Sequence, residues 1–248
     1  VKRILQVGDT FQTKFNGEIQ IIRYGNKYDV DVEFIQTGYI STTDATNIRR
    51  GTLKDPLYPR VYGLGFIGIG RHEASMNKKP TIQYQHWVNM FVRCYDKQSL
   101  ERRPTYRGCE VSSEWYNFQL FAEWFEEHYV DGWQLEKDIL RKGNKIYSPD
   151  TCCFVPEEIN KLFIKSNNTR GIYPIGVSYH KANDCFVSRV TINGKRHLLG
   201  YFKTIEEAFQ SYKRAKEQNI KDVADKWKKQ IPLTVYNALL QYIVEITD

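Results

Sequence analysis

Short alternating runs dominate the start of the chain. Asp29–Phe34 alternates polar and apolar side chains (D-V-D-V-E-F), and Glu18–Arg23 (E-I-Q-I-I-R) precedes it across Tyr24-Gly25-Asn26-Lys27. A period of two sends successive side chains to opposite faces, so both runs predict half-buried strands. Val7-Gly8-Asp9, Phe15-Asn16-Gly17 and Thr37-Gly38-Tyr39 supply turns. Four or five such strands predict a small β-barrel of Tudor-like size over residues 1–55. Residues 56–80 read as a glycine- and proline-rich linker. Within it, Gly63-Leu64-Gly65-Phe66-Ile67-Gly68 matches the G-x-G-x-x-G pattern of a dinucleotide fingerprint. That fingerprint needs a strand before it and a helix opening at the third glycine. Neither is predicted, so the segment reads as a loop.

The period then changes. Over Thr81–Tyr95, Trp87, Met90, Phe91, Cys94 and Tyr95 share one helical face. Over Ser113–Tyr129, Trp115, Phe118, Phe121, Ala122, Phe125 and Tyr129 share another, with Ser112 or Ser113 as cap. Both stripes read as core. Trp133–Ile139, the turn Lys142-Gly143-Asn144, Lys145-Ile146-Tyr147 and a short helix from Pro156 to Phe163 predict a ββα unit, closing a segment of residues 81–163. Residues 164–174 read as a linker; its sequon at Asn167-Asn168-Thr169 carries no weight without a secretory signal. Three strands follow, Ile175–His180, Cys185–Ile192 and His197–Phe202, with a hairpin turn at Asn193-Gly194. Thr204-Ile205-Glu206-Glu207 is a capping box opening a long helix, and Leu233–Ile246 predicts a last one.

Composition narrows the class. Apolar residues make up 41% and charged residues 26% of the 248, which is ordinary globular usage rather than disorder. No run approaches the ~18 apolar residues of a membrane span, and Val1–Val7 has no signal-peptide core. Five cysteines, an odd and sparse set, argue against a secreted disulfide scaffold. These features predict an intracellular protein without a membrane partner. The net charge of +7 is unevenly spread. Residues 164–248 carry 14 Lys/Arg against 8 Asp/Glu, a net of +6, while residues 71–163 carry 13 against 14. A charge run is commonly just a solvated face; confinement to one segment points to a polyanion partner.

Gly171–Lys216 carries Ile175-Gly176-Val177-Ser178-Tyr179, Phe186-Val187-Ser188-Arg189-Val190 and Leu199-Gly200-Tyr201-Phe202, followed by Thr204, Glu206-Glu207-Ala208, Tyr212 and Ala215. It resembles the DNA-binding module of plant ethylene-response (APETALA-type) factors, which also occurs in phage homing endonucleases. The resemblance implies a three-stranded sheet in the major groove of double-stranded DNA with the helix behind it. Period-two reading agrees, placing Val177, Val187 or Val190 and Leu199 against the helix. Ser178, His180, Lys181, Ser188, Arg189, Lys195, Arg196 and His197 are the candidate DNA-binding residues.

The middle segment carries W-x-x-M-x-x-R-C-Y at Trp87–Tyr95, E-W-x-x-F-x-x-F at Glu114–Phe121 and L-E-K-D…G-N-x-x-Y-S-P-D-x-C-x-F-V-P at Leu135–Pro156. It resembles HNH (ββα-metal) endonucleases of the phage type. In that family an acidic metal ligand precedes a general-base His, an Asn stabilises the loop, and a His or Asn at the helix is the second ligand. Carried over by position, Glu136 is the acidic ligand, Lys137 stands at the base, Asn144 is the loop Asn, and Thr151 lies where the second ligand is expected. The motif is degenerate. A lysine of pKa ~10.4 is a poor base at pH 7. Lys137 could instead clamp phosphate while Asp138, His128 or Tyr147 handles the proton, or the core could be catalytically dead. Cys94, Cys109, Cys152 and Cys153 lack zinc spacing and read as buried thiols, and lone His72, His86 and His197 have no partner at metal spacing.

The expectation is an α+β protein: a small N-terminal β-barrel, an HNH-like ββα core with two preceding helices, and a C-terminal three-stranded sheet plus helix over residues 175–248. It would cut or nick duplex DNA with Mg²⁺ or Mn²⁺ held by Glu136, in the cytoplasm of a bacterial host if phage-encoded. The alternative is a catalytically inactive, HNH-derived DNA-binding regulator or anti-host factor.

Overall fold

The structure, a computed structural model, describes residues 4–164 and 172–248. Val1–Arg3 and Lys165–Gly171 lie outside it, and with them the sequon, most of the expected linker, and Lys165 and Arg170 of the basic run. Among the described residues the chain is mixed α+β, with seven α-helices and several small sheets, none closed into a barrel.

In chain order the elements begin with β1 (Thr10–Gln12), β2 (Glu18–Asn26), β3 (Asp29–Phe34), β4 (Ile40–Thr43) and α1 (Ala45–Arg50). Next come β5 (Ser75–Met76), β6 (Lys79–Pro80), α2 (Ile82–Tyr95), α3 (Lys97–Arg102), β7 (Glu110–Val111) and α4 (Phe118–His128). Then follow β8 (Gln134–Glu136), β9 (Ile146–Tyr147), β10 (Cys153–Val155) and α5 (Glu157–Leu162). The last are β11 (Val177–His180), β12 (Cys185–Ile192), β13 (Lys195–Phe202), α6 (Ile205–Trp227) and α7 (Leu233–Leu240). They fall into two compact units, residues 1–127 with 145–149 and residues 128–144 with 150–248, so the segment expected as one core, 81–163, contributes to both.

In the first unit the expected barrel is an open antiparallel meander in the order β1-β2-β3-β4. Closure would need a last strand returning to β1. After β4 the Asp44 carboxylate instead accepts from the amides of Thr46 and Asn47 and starts α1. Ala45 and Ile48 of that helix are buried with Ile19, Ile21, Val30, Val32 and Phe34, so a helix rather than a closing strand covers the sheet. The aromatic stripe of α2 is core as predicted, and the Trp87 indole donates to the Trp115 carbonyl at 2.7 Å. The predicted second helix starts late, because Ser113–Tyr116 is a 3₁₀ turn and α4 opens at Phe118. The glycine-rich loop packs onto that junction. Gly68 has φ of +76°, and a Cβ there would lie 2.0 Å from Asn117 Oδ1. Gly65 is tight as well, with a Cβ position 2.9 Å from the Trp87 and Phe91 rings, so these two glycines serve close packing.

In the second unit the hairpin of the ββα segment is β8 with β10, not with Lys145-Ile146-Tyr147. Cys153 pairs with Glu136, Phe154 with Leu135 and Val155 with Gln134. The expected second strand, β9, pairs parallel with β7 in the first unit, where Tyr147 is buried. Periodicity marks an apolar run as extended but does not choose its partner. The three-stranded sheet β11-β12-β13 and the α6 capping box at Thr204 and Glu207 are as read from the sequence. The last helix stops at Leu240, short of Ile246. One core joins both parts: Ile139, Cys153, Val155 and Ile159 are clustered with Val177, Val190, Phe209, Tyr212 and Val235. Gly176 seals it on the sheet side, with φ of +78° and a Cβ position 2.0 Å from the Tyr212 ring.

Candidate functional site

The ββα segment is built around its register. Glu136 faces Cys153 across the hairpin, so it shares the side on which Cys153 and Val155 enter the core with Ile159 of α5. Burial, and then the Glu136 charge, push the Cys153 thiol up to about 12, so it stays protonated at neutral pH. Lys137 is turned to the other side and buried. Its ammonium donates to Asp138 Oδ1 at 2.5 Å and to the Asn144 carbonyl at 3.0 Å. Asn144 answers by donating its side-chain amide to the Lys137 carbonyl at 3.0 Å. The candidates of this region are thus brought together as a clamp on the loop, with Asp138 as its counter-ion. Tyr147, weighed as a proton carrier, is buried, and burial drives its phenol far above the usual range. His128 is exposed at the end of α4.

Thr151 does not stand on the helix. It is buried in the loop before β10, whereas α5 begins six residues later. The Asn that α5 does carry is Asn160, half-buried next to core residue Ile159. Sequence reasoning places the helix itself correctly, from Pro156 to Phe163, but carries the second-ligand position over to Thr151, ahead of it, and so passes over Asn160. Glu136 and Asn160 are hard oxygen donors of the kind that suits Mg²⁺ or Mn²⁺ together with phosphate oxygens and water. Asp138 is not a third donor while it pairs with Lys137.

The sheet of the DNA-binding-like segment has two distinct faces. Val177 pairs with Ser188, Phe186 with Phe202 and Val190 with His197, and Val177 and Val190 pack against α6. The opposite face carries the pairs Ser178–Val187, Arg189–Leu198, Thr191–Arg196 and Val187–Tyr201. An irregularity between Ser188 and Arg189 leaves Leu199 as an extra residue in β13 and sets this alternation. Ser178, His180, Arg189 and Arg196 therefore share the outer face. Arg189 donates to the Ser178 hydroxyl at 3.1 Å, and His180 stacks edge-on with Tyr201. Lys181 lies in the 3₁₀ turn after β11.

Three expectations change here. Ser188 is fully buried on the helix side, and its hydroxyl has no hydrogen-bond partner among the described residues. Its neighbour across the ladder is Val177, not Ser178. Lys195 pairs with Ile192 and His197 with Val190, so both belong to the helix-side register, although both are exposed at the edge strand. Thr191, Leu198 and Tyr201 were missed on the outer face; Thr191 follows from Arg189 by period two, whereas Tyr201 shares a face with Leu198 only because of the extra residue in β13. Residues 172–203 hold five Lys/Arg (Lys181, Arg189, Lys195, Arg196, Lys203) against one acid, Asp184. No helix among the described residues is long and apolar enough to cross a membrane.

No family model, no curated protein and no solved structure matches the chain.

Proposed function

We propose that this chain binds double-stranded DNA through the outer face of the sheet β11-β12-β13, on a scaffold derived from phage HNH endonucleases. The observation that carries the reading is the outer face itself, where Arg189, Arg196, Ser178 and His180 stand together away from α6. A strand pair can enter a major groove, where arginine offers two parallel hydrogen bonds to guanine. The five-to-one excess of basic residues over residues 172–203 supplies the phosphate attraction. The ββα segment supports this role mechanically: it shares one core with the sheet and α6, and Lys142 donates to Asp248 and to the Ile243 carbonyl near the chain end. The test is fluorescence anisotropy of the full chain with labelled duplex over a salt series; saturable, salt-sensitive binding is expected, and none at low salt overturns it.

A second reading keeps metal-dependent phosphodiester hydrolysis, in the manner of a homing-type nicking enzyme. Its support is Glu136 on the α5 side of the hairpin. Glu136 and Asn160 would hold Mg²⁺ or Mn²⁺ with a DNA phosphate; the ion would stabilise charge developing on the leaving oxygen. Lys137 would not take the proton, because its nitrogen is a donor in two hydrogen bonds. Nicking of supercoiled DNA that depends on the ion and disappears in Glu136→Gln is the result required.

A further inference from the structure

Residues 71–163 are nearly neutral as a whole, yet residues 97–107 hold Lys97, Arg102, Arg103 and Arg107 against the single acid Glu101. In the first unit this stretch folds into one tight corner. The Arg103 amide donates to the Ser99 carbonyl at 2.8 Å to end α3, and Pro104–Tyr106 continues as a 3₁₀ turn. The Arg107 amide then donates to the Pro104 carbonyl at 3.1 Å, and the Cys109 amide to the Tyr106 carbonyl at 2.9 Å. Lys145, the residue before β9, joins the corner, because its ammonium donates to the Thr105 carbonyl at 2.8 Å. The Arg93 guanidinium lies over the Tyr106 ring, 5.7 Å from its centroid.

Arg102, Arg103, Arg107 and Lys145 are exposed, and none of them forms an ion pair among the described residues. Arg102 donates to Gln98 Oε1 at 3.4 Å, a neutral partner. Asp96 caps the opposite end of α3, where it accepts from the Ser99 amide at 2.8 Å. A helix C-terminus favours cations, and that accounts for Arg102 and Arg103. It does not account for Arg107 and Lys145, which lie outside α3. Like charges gathered without counter-ions repel one another, and a polyanion relieves that repulsion. The regularly spaced phosphates of a duplex suit it, since the arginine fork matches phosphate oxygens. A short turn reaches the duplex backbone rather than a groove floor, so its contacts add affinity without reading sequence.

We infer that the corner of Arg102, Arg103, Arg107 and Lys145 is a second DNA contact, carried by the first unit and made to the phosphate backbone of the duplex. The inference rests on the DNA-binding reading and extends it: the outer sheet face of the second unit meets base edges, and this corner holds backbone.

The experiment is fluorescence anisotropy of the full chain with labelled duplexes of two different sequences over a salt series. The proteins are wild type, the double variant Arg103→Gln with Arg107→Gln, the same pair changed to Lys, and a control, Lys78→Gln with Lys79→Gln. The control removes two exposed charges from the same unit, in the hairpin β5–β6. The glutamine pair should shrink the log–log salt slope by about two contacts, about 0.9 each, and weaken both duplexes equally, at least about fivefold. The lysine pair should keep most of the slope, because a phosphate contact needs the charge. The control should match wild type, and all melting temperatures should agree. Wild-type affinity and slope in the glutamine pair, an equal loss in the control, or a loss confined to one duplex each overturns the inference. Wild-type binding that the glutamine pair leaves intact defeats this inference alone. Binding that the pair weakens but Arg189→Gln and Arg196→Gln do not defeats the sheet-face reading alone, and no binding at low salt defeats both.

Discussion

Lys137 and Asn144 are bonded to each other twice, ammonium to carbonyl and carboxamide to carbonyl, each at 3.0 Å. The pair closes the loop that leaves β8 and gives the lysine a structural task at the position where the HNH resemblance expects a histidine base. A nitrogen whose protons are held by Asp138 and Asn144 offers no lone pair to water.

Asn144→Ala should cost about 1 kcal/mol, the worth of one hydrogen bond, and Lys137→Ala about 1–3 kcal/mol, since it also leaves a void and an orphaned carbonyl. Hydrogen exchange across residues 134–155 is the suitable readout, because faster exchange confined there identifies the loop. Lys137→His should loosen the same loop and produce no new cleavage. Strong nicking by that variant would show that the position still works as a base.

Ser188→Ala should keep or raise stability, by up to about 1 kcal/mol, because it removes a buried hydroxyl with no partner. Duplex affinity should not change. Chemical denaturation and anisotropy check the two parts, and a loss of DNA binding with an intact fold would return Ser188 to the interface.

Gly176→Ala should destabilise the second unit by about 2–4 kcal/mol. The new methyl would need φ of +78° and would overlap the Tyr212 ring. Thermal melting followed by near-ultraviolet dichroism reads the loss of aromatic packing directly.

The Glu158 carboxyl is held below its ordinary value, first by the Lys226 hydrogen bond and then by the Trp227 indole. A carboxyl depressed in the folded state adds stability that is complete above its unfolded pKa, ~4.3, and is lost as pH falls through the folded value. Glu158→Gln should therefore flatten the acid limb of the stability profile below that pH. An unchanged acid limb in the variant would show that the ion pair does not form in solution.

Strong local signals in the sequence survive in the structure: the D-V-D-V-E-F strand, the aromatic stripe of α2, the Asn193-Gly194 turn and the Thr204 capping box each owe their shape to neighbours within a few residues. What was illegible depends on distant partners. Lys145-Ile146-Tyr147 is extended as its composition suggests, yet it pairs with β7, 36 residues earlier by register. The missing barrel closure has the same origin, since closure depends on a distant strand pairing back to β1, and after β4 Asp44 starts a helix instead. In the candidate interface, one extra residue in β13 decides which of Lys195, Arg196 and His197 faces outward. Lys137 and Asn144 were named for separate roles carried over from the resemblance; that they clamp each other, while Glu136 faces the other side of the hairpin, follows only from the folded loop.

The central claim is tested most directly by the salt dependence of duplex binding by wild type, Arg189→Gln and Arg196→Gln, with Lys229→Gln as control. Wild type should bind with a log–log slope of about −0.9 per phosphate contacted. An arginine on phosphate should shrink that slope by about one contact when replaced, and one on a base should leave the slope but relax sequence preference by about 1–3 kcal/mol at one position. The control should match wild type. Absence of duplex binding at low salt, or binding that neither arginine variant alters in slope or preference, would contradict the account.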